Sequence, residues 1–139
     1  MKPLIWAILA ALAWGVAPVV EKLGLLKIPV WGGLIFRSLG VVLGMLGIII
    51  FKFAEVKNVL TKIPAGWYYL LAGGFLASIV GQIFFYNALK TGEASKVVPI
   101  AASYPLVSFL LGLLFLSESL TLTKVGGLAL ILMGIFLLK

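Results

Sequence analysis

A chain of 139 residues that is 63% hydrophobic and 11% charged, with a mean hydropathy of +1.25, lies far from a water-soluble domain and reads as an integral membrane protein. It has no cysteine and no histidine, which removes disulfides, thiolate chemistry and the commonest metal ligand, and its 4 acidic residues leave hydrolysis few parts to use. The net charge of +7 is spread over short loops, a distribution suited to phospholipid headgroups rather than nucleic acid, so no enzymatic activity, cofactor, metal or nucleic-acid partner is expected.

The apolar runs are continuous rather than alternating, so they predict helices and not a β-barrel. The first run, Leu4–Val20, resumes at Leu23–Leu26 after Glu21 and Lys22. The Ala-rich stretch at 10–13 has the small residues of a signal-peptide cleavage site, but the run continues past it, so a membrane helix over about 4–25 is expected. Pro29 opens a second helix over about 30–51, and a polar loop with Lys52, Glu55, Lys57, Asn58, Lys62 and Pro64 follows. A third helix is expected over about 67–89. The last third of the chain is a helical hairpin, about 94–116 and 121–138, joined by the polar link Ser117–Thr121. The longer of these runs reach about 30 Å at 1.5 Å rise per residue, the thickness of the hydrocarbon layer. The expected fold is all-α, with five transmembrane helices in a single domain.

Trp6, Trp31, Trp67, Tyr68 and Tyr69 fall near the expected helix ends, where amphipathic rings favour the headgroup layer, whereas Trp14 falls near the middle of its helix. Orientation is nearly undetermined. Lys2, Lys52, Lys57, Lys62 and Lys124 belong to one side, and Lys22, Lys27, Lys90, Lys96 and Lys139 to the other. Either the second loop holds the chain in one orientation, or the chain inserts both ways and the two orientations pair.

Side-chain faces follow from 100° per residue. Gly33, Arg37, Gly40, Gly44 and Gly47 share a narrow stripe of the second helix, a surface that lets another backbone approach closely. Arg37 lies about 11 Å inside the helix, so it either snorkels to the near headgroups or lines a cavity. Ala7, Ala11, Trp14, Pro18 and Glu21 share a face of the first helix, where Pro18 cannot donate to the Trp14 carbonyl. Glu21 is near the same membrane side as Arg37; the two form a pair, or Glu21 is simply the first polar residue after the span. In the third helix Gly74, Ala77, Ser78 and Gly81 stack, with Gln82 and Tyr86 along their border. Gln82 serves either a substrate or a neighbouring helix. Ala101, Pro105, Ser108 and Gly112 share a face of the fourth helix beside Tyr104, and Gly127 and Gly134 form a packing seam on the fifth.

Several of these residues carry a resemblance. Ala13-Trp14-Gly15, Arg37, Tyr86-Asn87-Ala88-Leu89, the GEASKVV stretch from Gly92, the SYPL stretch from Ser103, and Glu118 ahead of the Gly126-Gly127 helix stand in an order that resembles one EamA-type repeat of the drug/metabolite transporter superfamily. The resemblance covers nearly the whole chain. It implies half of a ten-helix transporter built from two repeats of opposite orientation, set in the cytoplasmic membrane. The small multidrug resistance proteins, shorter and similar, work as antiparallel dimers with a buried glutamate in the first helix. Here Trp14 holds the mid-depth position of that helix and Glu21 is off-centre, which departs from that proton-coupled pattern.

The expected function is transport of a small organic solute by a homodimer, antiparallel, through a central cavity lined by Trp14, Arg37, Gln82, Tyr86 and Tyr104. Arg37 suits an anionic group, and the aromatic residues suit an apolar part. The alternatives are a small multidrug resistance-like proton-coupled exporter, a pairing with a paralogous half-transporter, a lipid-carrier flippase, and a non-transporting subunit that packs on another membrane protein.

Overall fold

The structure is a computed structural model describing residues 3–138; Lys2 and Lys139, which enter the charge balance above, lie outside the described residues. The described residues are organised as α1 (Pro3–Leu25), α2 (Val30–Phe51), α3 (Phe53–Thr61), α4 (Trp67–Phe75), α5 (Gly81–Thr91), α6 (Ala94–Ala101), α7 (Tyr104–Phe115) and α8 (Leu122–Leu137). Four stretches are long and apolar enough to cross a membrane: α1, α2, the run Trp67–Thr91 and the run Ala94–Phe115. The fifth apolar helix, α8, is shorter at 16 residues. At about 24 Å it is matched to the bilayer by local thinning or by snorkelling of its flanks.

The two central runs are not simple helices. In the first, a π-helical turn over Leu76–Val80 joins α4 to α5. The Gly81 amide donates to the Leu76 carbonyl across this wide turn, and a Cβ at Gly81 would sit 3.2 Å from that same oxygen. Glycine is therefore required by a close backbone approach. A face that continues from Gly74 to Gly81 assumes unbroken α geometry; one extra residue in the turn rotates everything after it by about 100°. In the second run α6 ends at Ala101 and α7 begins at Tyr104, with Pro105 in the first turn of α7. Proline has no amide to donate, so its tolerated place is a helix start, and the run breaks there.

The polar loop expected between the second and third spans contains α3, a nine-residue helix. Glu55, Lys57, Asn58 and Thr61 give it the look of a loop, but its apolar residues recur at helical spacing.

The chain divides into two compact units, one made of residues 19–90 and the other of residues 1–18 and 91–139. Almost every large apolar side chain is exposed, as expected where lipid replaces the protein interior as the apolar phase. In the first unit a small packed region does exist: Leu25, Tyr86 and Leu89 are all but fully buried, and Gly33 is buried with them. A Cβ at Gly33 would approach Leu25 Cδ2 to 2.8 Å and Tyr86 Cε2 to 3.2 Å, so the absence of a side chain allows this contact. In the second unit Thr121 caps α8, its hydroxyl accepting from the Lys124 amide at 3.3 Å.

Candidate functional site

The packed end of the 19–90 unit gathers four polar side chains from three helices. Glu21 sits on the last turns of α1, Arg37 two turns into α2, and Gln82 and Tyr86 one turn apart on α5. Arg37 Nε and Glu21 Oε1 are 3.3 Å apart, with side chains 28% and 19% exposed. Gln82 Nε2 donates to both Glu21 oxygens through long contacts of 3.4 and 3.5 Å. The Tyr86 ring fills the space beside Gly33, one turn along α5 from Gln82. Glu21 is thus the hub. A carboxylate facing one cation and one neutral donor can exchange partners when a competing anion approaches Arg37.

Two lysines close this end. Lys22 Nζ donates to the carbonyl of Leu89 and, at 3.4 Å, to that of Lys90. Lys90 Nζ in turn donates to the Ile28 carbonyl at 2.9 Å. The last carbonyls of a helix lack amide partners and carry partial negative charge, so the Lys22 ammonium is well placed on the end of α5, while Lys90 holds the link between α1 and α2. These clamps hold the ends of α1 and α5 in register, which is what lets Glu21 meet Gln82.

The residues singled out from sequence are distributed unevenly. Glu21, Arg37, Gln82 and Tyr86 meet in the 19–90 unit. Trp14 and Tyr104 belong to the other unit, and their side chains are 66% and 57% exposed. A Cβ at Gly40, Gly44, Gly127 or Gly134 would meet no atom within 4 Å, so none of these glycines is packed within the chain. The 19–90 unit also carries an open cleft of about 410 Å³ between α2 and the residues around the π turn. Trp31, Ile35, Ser38, Val42, Ile79 and Ile83 line it, and Ser38 is the polar residue among them. It occupies the face of α2 opposite to Gly33 and Arg37. An apolar cleft of this kind lacks the polar groups that would orient a solute.

The wide turn just before Gln82 and Tyr86 is the feature that sequence reasoning missed. Its trace is weak: Gly81 stands one residue before Gln82, as a π turn with a close carbonyl demands, but many membrane helices carry such a glycine. The counterpart in the other unit is Glu118, which pairs with Lys124 Nζ at 3.3 Å on the surface link before α8.

Long apolar spans, with a half-buried ion pair among their helices, define a polytopic helical membrane protein. The chain belongs to the EamA-like transporter family, whose pattern matches residues 1–139. It is 32% identical over 136 residues to an uncharacterized protein of Methanocaldococcus jannaschii, covering 98% of this chain and 95% of that protein. It is 29% identical to an uncharacterized transporter of Sinorhizobium, over 96% of this chain and 93% of that one. It is also 25% identical to an uncharacterized transporter of Clostridium kluyveri over 93% of this chain, but there it spans only 41% of the relative's length. No solved structure matches the chain.

Proposed function

We propose that the chain transports a small organic solute or metabolite across the cytoplasmic membrane as an antiparallel homodimer, with Arg37 receiving an anionic group of the cargo. One observation carries the reading: the Glu21–Arg37 pair, half-buried among the spans, with Gln82 on the same carboxylate. A charge among apolar helices is costly and persists where it serves a pathway or a partner. An anion entering at Arg37 displaces Glu21, which falls back on Gln82. Trp14 and Tyr104 supply aromatic surface for the apolar part of the solute once two copies enclose a central cavity.

Two further observations support a pair of chains. The Clostridium relative is more than twice the length of the matched region, so it has the length in one polypeptide that two copies would supply here. The glycine faces of α2 and α8 are open within the chain and suited to close helix contact. A paralogous half-transporter or another membrane protein fits those same faces, and crosslinking through them separates a self-partner from a foreign one.

Transport by the reconstituted chain tests the site. Arg37→Ala and Trp14→Ala variants that insert normally are expected to lose at least about ten-fold in uptake of an identified anionic substrate. Parental rates in both would remove the site assignment. Reporters on the C-terminus active on opposite membrane sides should both give signal, and signal from one side only would remove the antiparallel homodimer.

A further inference from the structure

Helix α3 plays no part in the proposed transport site, and its placement is tightly constrained. Lys52 alone separates it from the end of α2, and residues 62–66 lead from it into the Trp67–Thr91 span. Both ends are therefore tied to the same membrane boundary. Around α3, at 100° per residue, Phe53, Val56, Val59 and Leu60 fall within an arc of about 120°, and Ala54, Glu55, Lys57, Asn58 and Thr61 fill the rest. Phe53, Val59 and Leu60 are exposed and Val56 is intermediate, so the described residues leave most of this apolar arc uncovered. Lys57 borders it on one side and Glu55 on the other, and Lys62 stands at the C-terminal end of the helix; all three are exposed.

The charges choose the occupant. Glu55 is the carboxylate of this segment, and it is held by Lys52 at 2.8 Å. The segment thus presents a net positive rim around an apolar strip. The next element repeats the pattern: Gly66, at φ +91°, turns the chain so that Trp67, Tyr68 and Tyr69 begin the following span in a cluster. Tyr68 and Tyr69 have ring centroids 4.3 Å apart, and such rings settle at the headgroup level.

We propose that α3 lies flat in the membrane interface and binds anionic phospholipid. Its apolar arc enters the acyl boundary, and Lys57 and Lys62 reach the headgroup phosphates by snorkelling. The helix then anchors the second loop to whichever leaflet carries the anionic lipid, and biases the orientation that the lysine count leaves nearly even.

The native chain has no cysteine, so single labels can be placed without background. Full-length Leu60→Cys and Asn58→Cys variants carrying an environment-sensitive fluorophore are reconstituted into phosphatidylcholine vesicles, with or without about 30 mol% phosphatidylglycerol. With phosphatidylglycerol, the label at position 60 should be quenched at least about three-fold more by lipid-borne quenchers than by iodide, and the label at 58 the reverse. Protection of position 60 should grow with phosphatidylglycerol, and Lys57→Gln with Lys62→Gln should abolish that growth. Equal iodide access at both positions would overturn the proposal. So would protection from both quenchers, which would place the arc against protein, and so would protection that ignores lipid charge.

Discussion

Two of the three glutamate–cation pairs among the described residues, Glu21–Arg37 and Glu118–Lys124, stand near a glycine with little room for a side chain, and their settings differ. Glu21 and Arg37 lie within helices of the 19–90 unit at 19% and 28% exposure, with a neutral donor completing the carboxylate. Glu118 lies on the surface link before α8 and Lys124 in the first turn of α8, at 48% and 40% exposure. Each glycine acts differently too. Gly33 makes room for buried carbon, Leu25 and Tyr86, whereas Gly112 makes room for the Glu118 carboxylate itself, 3.2 Å from where a Cβ would be. The same ionic contact distance, 3.3 Å in both, thus means different things. Water and salt screen the second pair. The first has little water to replace a lost partner, and it alone can hold a polar group within the spans.

Removing one partner from each pair is the sharpest test of this contrast. Arg37→Ala should cost about 2–3 kcal/mol in a denaturant titration in mixed micelles, because it strands a carboxylate among apolar helices. Replacing both Glu21 and Arg37 by glutamine should recover part of that loss, since no charge is then left alone. If Arg37→Ala proved as mild as a change at Glu118, the distinction between the two settings would collapse.

The glycines give the next largest effect. Gly33→Leu should cost about 2–3 kcal/mol by overpacking against Leu25 and Tyr86, while Gly40→Ala, with open space around it, should be neutral or slightly stabilising in the monomer. Thermal melts in detergent measure both. At Gly112 an alanine should cost no more than about 1 kcal/mol, because the Glu118 side chain on a surface link can give way. Adding Glu118→Ala should then restore stability, and failure to do so would mean that backbone rather than carboxylate limits the site. Smallest of all, Glu118→Gln should change stability by less than about 0.5 kcal/mol, with that small effect vanishing in high salt.

Much of this was legible in the residues. A mean hydropathy of +1.25 and long uncharged runs leave no water-soluble alternative, so the helical membrane class follows from composition alone. Helix α3 was hidden in plain view: Lys, Glu and Asn make its composition loop-like, yet Phe53, Val56, Val59 and Leu60 recur at spacings of three and four. The break before Tyr104 had a cause in Pro105, whose nitrogen carries no hydrogen to donate to the Ala101 carbonyl. Glu21 and Arg37 stood open as a pair or as separate residues, because sequence distance says nothing about which of several faces a helix turns inward.

Hydrophobicity is a property of each residue, so the sequence by itself determined the phase this chain occupies and the faces along each unbroken helix. Geometry between helices is a property of their packing. Only the tertiary structure decided that a π turn re-aims Gln82 and Tyr86, that Gly33 lets α2 close on Tyr86, and that Glu21 then comes within 3.3 Å of Arg37. The physical reason is that a one-residue offset in a single turn swings every later side chain by about 100°, and no pattern in the residues alone records that offset.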